Sequence, residues 1–113
     1  MANSFVNAKV DLTTTDNTTL YTTPSANVAL VKSILVSNDS GSGCNLDVTL
    51  TDSSGNVFSL FKTKSVASNT TTEHLTHPLV VEESEILKVQ ASDANELHVI
   101  ASILQIQPRE VTT

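Results

Sequence analysis

Several things are scarce in this 113-residue chain, and each scarcity removes a class of function. Cysteine occurs once, at Cys44, so no disulfide can form within the chain and no cysteine-based zinc site can be assembled from it. Tryptophan is absent and the aromatics number four (Phe5, Tyr21, Phe58 and Phe61), which leaves little to stack on a sugar ring or a nucleobase. Basic residues are few: five Lys and Arg109, scattered, against twelve acids, for a formal charge of −6. Nucleic-acid binding is driven by Lys and Arg neutralising phosphates, so a DNA or RNA partner is not expected. Glycines number three, two of them in one loop, and no phosphate-cradling glycine loop or nucleophile elbow occurs.

Long apolar runs are missing too. The most apolar stretches, residues 28–36 and 97–106, are interrupted by Lys32, Ser33, His98 and Ser102, and a spanning helix needs about twenty apolar residues. The N-terminus lacks the basic start and apolar run of a secretory signal. We therefore expect synthesis in a cytoplasm, no export and no membrane partner. Three glycosylation-type sequences, at Asn17, Asn38 and Asn69, then have no role.

What the chain does have is threonine, serine and branched aliphatics. Thr (16) and Ser (14) fill 30 positions and Val, Ile and Leu another 30. β-Branched side chains lose freedom in a helix and pack well on a pleated sheet, and period-two alternation recurs throughout. Val6, Ala8, Val10 and Leu12 alternate with Asn7, Lys9 and Asp11, predicting a first strand at a sheet edge. Residues 18–23 read as a short strand stopped by Pro24. Residues 28–38 are apolar on both faces, with Val28, Leu30, Ile34 and Val36 assigned to one and Ala29, Val31 and Leu35 to the other, so this is a central strand.

A loop at residues 39–43 precedes a strand with Leu46, Val48 and Leu50 inward. Residues 52–56 then supply hairpin-turn chemistry, and the return strand spans residues 57–64. Residues 70–77 read as a polar surface strand ended by Pro78, with a short pairing at 79–81. Leu87, Val89 and Ala91 form another strand, and residues 97–107, apolar on both faces, a second central one. About eight strands in one unbroken run predict an all-β domain over residues 1–113: a two-sheet antiparallel β-sandwich, jelly-roll or immunoglobulin-like. Residues 1–5 and 108–113 fall outside the pattern and are expected to be short arms.

No catalytic constellation is legible, and no enzyme, cofactor, metal or small-molecule substrate is expected. His74 and His77, three apart, would lie on opposite faces of a strand, and His98 sits mid-strand, so packing or surface roles outweigh zinc. Asp39 and Asp52 open glycine-containing loops, where an Asp carboxylate hydrogen-bonds the turn backbone. What remains is a structural or interaction module that binds by a sheet edge, by loops or by symmetric packing.

Several stretches carry a resemblance: Asn3 to Ala8, Thr22-Thr23-Pro24, Ala29 to Asn38, Val48 to Asp52, Leu87 to Ser92 and Ala101 to Leu104. Together they resemble the small virion proteins of tailed bacteriophages, notably those of marine bacteria. The likeness is one of strand phrasing along nearly the whole chain. It implies a non-enzymatic particle component in the virion, with the major capsid protein or other virion proteins as partners and a homo-oligomer, for example a trimer, as its form. Of the placements it implies, a capsid decoration or cement protein on the outer surface suits the negative charge best, since proteins inside a head lie beside DNA phosphates. A tail or neck adaptor, a fibre-associated module and a host-surface binding module are the alternatives. Partner contacts are expected at Phe5, Val6 and Val10 on the first strand and at Pro108, Arg109 and Val111 in the tail.

Overall fold

The computed structural model describes residues 2–107, and among them there are nine β-strands and no helix. The strands are β1 (Ala2–Leu12), β2 (Thr18–Thr22), β3 (Val28–Asn38), β4 (Cys44–Thr51), β5 (Val57–Val66), β6 (Thr70–Glu73), β7 (Leu79–Val81), β8 (Ile86–Ala91) and β9 (Leu97–Gln107). Among the described residues no helix is long and apolar enough to cross a membrane. Sheet 1 has the order β1-β9-β3-β6, with β7 also paired to β3; sheet 2 has the order β2-β8-β4-β5.

The pairing resolves the choice left open by the sequence. The chain behaves as one long antiparallel ribbon folded at the 52–56 hairpin: β4 pairs β5, β3 pairs β6, β2 pairs β8 and β1 pairs β9. Rolling that ribbon sends its successive strand pairs to alternate sheets, which gives a double-sheet jelly roll. The hairpin turns as its composition predicts. Asp52 Oδ1 accepts from the N–H groups of Ser54 and Asn56, both at 2.9 Å, while Gly55 takes the positive φ of 90° that the turn requires.

The core lies between the layers. Leu12, Ala29, Val31, Ile34, Val36, Val81, Leu97, Val99, Ala101 and Ile103 of sheet 1 face Leu20, Leu46, Val48, Val66, Leu87, Val89 and Ala91 of sheet 2. Each fully buried aliphatic contributes about 1.5–3 kcal/mol relative to exposure, and with Cys44 free the fold is held by packing and ladders. Polar bridges also cross between the sheets: the Tyr21 hydroxyl donates to Gln105 Oε1 at 2.6 Å, with partial burial pushing the phenol's pKa up, and the Asn38 amide donates to the Val66 carbonyl at 3.3 Å.

Three expectations are corrected. Residues 2–5 are not a free arm, because β1 is in register with β9 from Ala2 (opposite Gln107) to Leu12 (opposite Leu97). The tail at 108–113 lies outside the described residues. In β3 the faces switch midway: a bulge at Lys32 shifts the register between Val31 and Ser33. Ala29 and Val31 point inward before it and Ile34 and Val36 after it, which leaves Val28, Leu30 and Leu35 on the outer side. Finally, the polar strand at 70–77 stops at Glu73, and His74 is buried. The bulge is held from β6, where Glu73 Oε2 accepts from the N–H of Ile34 (2.8 Å) and of His74 (3.0 Å).

Candidate interaction face

The outer faces of the two sheets differ in kind. On sheet 2 the outward positions of β4 and β8 are Asn45, Asp47, Thr49, Thr51, Lys88 and Gln90, with Ile86 as the apolar exception, close to the alternation expected of a solvated face. On sheet 1 one outward row is apolar from edge to edge. Phe5 on β1 stands opposite Leu104 on β9, Leu104 opposite Leu30 on β3, and Leu30 opposite Val80 on β7. These four make one cross-strand row spanning about 14 Å at the usual strand spacing. Val28 and Ile106 pair at one side of it. On the other side, beyond the polar row of Asn7, Ser102 and Ser33, lie Ile100 and Leu35, flanked by Lys9 on β1 and Glu73 on β6.

Exposure gives the row its meaning. Phe5 is 79% exposed, Val80 53%, Ile100 40% and Leu35 38%, while Leu30 and Leu104 are half-buried by their neighbours. Strands that are apolar on both faces are normally covered on both. Here β3 and β9 are covered on the inner face, and nothing among the described residues lies over the outer one. Two shallow depressions open on it. One of about 290 Å³ is lined by Lys9, Asp11, His98 and Ile100, and one of about 360 Å³ by Phe5, Asn7, Lys32 and Ser102.

A polar row closes one end of this face. Asp11, His98 and Ser37 stand side by side on β1, β9 and β3. His98 Nε2 is 3.2 Å from Asp11 Oδ1, and its Nδ1 is 3.9 Å from Asp39 Oδ2. Among the described residues no hydrogen bond joins Ser37 Oγ to the ring, so the row lacks the nucleophile–base link that acyl transfer needs. With His98 protonated, the cluster is an exposed ion pair.

Elsewhere, Cys44, Asp93 and Glu96 bring three ligand-type atoms within 4.8 Å of one another. Each already has a partner: Ser92 Oγ lies 3.5 Å from the Cys44 sulfur and 3.3 Å from Asp93 Oδ2, and Ser40 Oγ donates to Glu96 Oε1 at 2.5 Å. The cluster ties the 39–43 loop to the β8–β9 turn.

His74 is the outlier of the interior. It is 6% exposed, packs edge-on against the Phe61 ring at 5.9 Å, and has no partner for either ring nitrogen. Burial holds its pKa below the ordinary histidine value, with the Lys64 charge acting in the same direction and Glu73 opposing. His77 is exposed.

The residues singled out in the sequence distribute unevenly over this picture. Phe5 is the most exposed large apolar side chain on the face. Val6 and Val10 point the other way and pack against the core. Pro108, Arg109 and Val111 lie outside the described residues. Leu30, Leu35, Val80, Ile100 and Leu104 were not singled out, although the two-faced apolarity of residues 28–38 and 97–107 was the signal for all but Val80, which lies on β7.

No family model matches this sequence, and neither does any curated protein. Among solved structures, the fold is similar to that of a pentameric capsid protein isolated from metagenomic phage sequences. There the TM-score is 0.49 at 21% identity, over 90% of this chain and 60% of that one. It is also similar to a structure of the Gt strain of infectious bursal disease virus, with a TM-score of 0.44 at 10% identity, over 94% of this chain and 31% of that one. This chain thus spans less than two thirds of either neighbour. At these identities and scores neither likeness carries an argument about this chain.

Proposed function

We propose that this chain is a non-enzymatic structural protein of a virus particle, of the decoration or cement type. In this reading it sits on the outer surface of the head through the outer face of sheet 1. The observation behind this is the bare apolar row Phe5–Leu104–Leu30–Val80, on a sheet whose central strands have the composition of strands covered on both faces. A contiguous exposed apolar patch on a soluble domain marks an interaction surface. The phrasing shared with small virion proteins supplies the kind of partner, and the charge of −6 favours the side of a capsid away from packaged DNA.

Magnitudes suggest how such a protein would work. Covering the half-dozen apolar side chains of the face contributes on the order of 1–2 kcal/mol each. Association costs about 4–15 kcal/mol in lost freedom, so one face on one capsid subunit binds modestly at best. Linking several faces in an oligomer raises the net affinity without any new kind of contact, which suits a protein repeated over a shell.

The test is to quantify this chain in purified particles by mass spectrometry against the major capsid protein. Hundreds of copies per particle are expected. Six or twelve copies would replace the head placement with a tail or neck one, and absence from particles would refute the structural role.

A further inference from the structure

We propose that the free edge of β1 is the site at which a second copy of this chain joins, antiparallel and centred on Asn7, fusing the two copies of sheet 1 into one. This pairing does not depend on the chain being a particle component.

Among the described residues the fold has four lateral sheet edges, and three of them are blunted in the ways that keep edges from pairing. Strand β2 is five residues long with a register shift between Thr19 and Tyr21. Strand β5 carries two shifts against β4, a positive φ of 56° at Thr63, and Lys62 and Lys64. Strands β6 and β7 are four and three residues long. By contrast, β1 has eleven residues, no proline and no break in its register with β9.

Its backbone is turned for pairing. The Leu12 carbonyl faces β9, accepting from the Asn95 N–H at 2.9 Å. The same parity follows from Ile34, whose N–H and C=O both face β6: the first donates to Glu73 Oε2, and the second accepts from His74 N–H at 3.0 Å. Counting alternately across β3, β9 and β1, the even-numbered residues of β1 bond to β9. The N–H and C=O of Asn3, Phe5, Asn7 and Lys9 therefore point outward, away from the sheet.

The side chains select the occupant. Antiparallel pairing centred on Asn7 overlaps the strand over its whole length and makes Asn7 face its own copy. Lys9 then stands opposite Phe5 of the second copy, and Asp11 opposite Asn3, each pair occurring twice. No like charges meet, and the aliphatic stem of Lys9 packs along the edge of the Phe5 ring, which is 79% exposed in the single chain and keeps its outer face open. Outward-turned residues fall opposite outward-turned residues, giving about eight new backbone hydrogen bonds. The apolar rows of the two outer faces become parts of one continuous surface.

Sedimentation of the full-length chain over a concentration series tests this. It should be run at a salt concentration where the Debye length is about 8 Å, so that the two negative bodies do not repel at a distance. A monomer–dimer equilibrium is expected. Asn7→Pro removes only an outward N–H, so the β9 ladder survives while the new one loses its centre. It should weaken dimerisation at least about tenfold, with an unchanged far-UV spectrum. Should that variant misfold, Asn7→Cys gives an independent reading. In an antiparallel hydrogen-bonded pair the Cα atoms are about 5.5 Å apart, within disulfide range, so oxidation should cross-link copies at position 7. Lys9→Cys should not cross-link, because each position 9 faces position 5. A chain monomeric up to about 1 mM, the weak end of specific association, would overturn the proposal. So would a folded Asn7→Pro that dimerises as well as wild type, or cross-linking through Lys9→Cys rather than Asn7→Cys. Monomers alone that pair with strands of another virion protein would overturn the second-copy assignment while leaving the particle role standing.

Discussion

The bulge at Lys32 decides which side chains of β3 reach the outer face, so the group that holds the bulge is worth perturbing. Glu73 Oε2 accepts from the N–H of Ile34, a residue with no exposed surface, at 2.8 Å and from His74 N–H at 3.0 Å. Hydrogen bonds to a charged acceptor contribute about 1.5–3 kcal/mol each, and a buried N–H left unsatisfied costs about 1–3 kcal/mol. Glu73 itself lies on the surface, where water replaces part of what is lost, so Glu73→Ala should destabilise by about 2–4 kcal/mol. At about 4 °C per kcal/mol for a domain of this size, the melting temperature should fall by roughly 8–16 °C. Glu73→Gln keeps an acceptor oxygen and should cost only about 1 kcal/mol. Thermal and urea unfolding followed by far-UV circular dichroism measure both variants. Should Glu73→Ala fall within about 0.5 kcal/mol of wild type, as an ordinary surface change does, the carboxylate does not hold the bulge and the reasoning fails.

Other outcomes follow from the same structure. The His74 pKa is depressed in the folded chain by burial and by Lys64, so the unfolded chain binds the proton first as pH falls below about 6.5. Stability should therefore decline on acidification through that range, and the decline should be shallower in His74→Leu; equal slopes in the two proteins would contradict it. Leu87→Ala, at a fully buried position of β8, should cost about 2–5 kcal/mol in a urea titration. Phe58→Ala, at a site 54% exposed on β5, should stay within about 0.5 kcal/mol, and similar losses in the two would contradict the placement of the core.

How much of this was legible in the sequence follows from which signals are local. Strands β4, β8 and β9 and the 52–56 hairpin were readable because one-residue alternation and turn chemistry act within a few positions. In β3 the alternation was ambiguous: with Val28 and Leu30 on one face and Ala29 and Val31 on the other, either could point inward. Only the register against β9 and the Glu73 contact choose between them. His74 followed the polar run Thr70-Thr71-Thr72 and gave no local sign of burial, because its packing partner Phe61 belongs to another strand. The jelly-roll order depends on pairings across the whole chain, so composition and spacing left it open beside the immunoglobulin-like alternative. The same holds for the interaction face. Phe5 could be singled out alone, but the row it starts exists only once β1, β9, β3 and β7 are set side by side.

Hydroxyl-radical footprinting of the chain, free and bound to particles, tests the central claim most directly, because it reads side-chain exposure. Labelling of Phe5, Val80, Ile100 and Leu35 should fall on binding, while Val57 and Phe58, at the far edge of sheet 2, should label as before. Protection of Val57 and Phe58 with Phe5 and Val80 unchanged would contradict the assignment of the outer face of sheet 1 as the surface through which this protein acts.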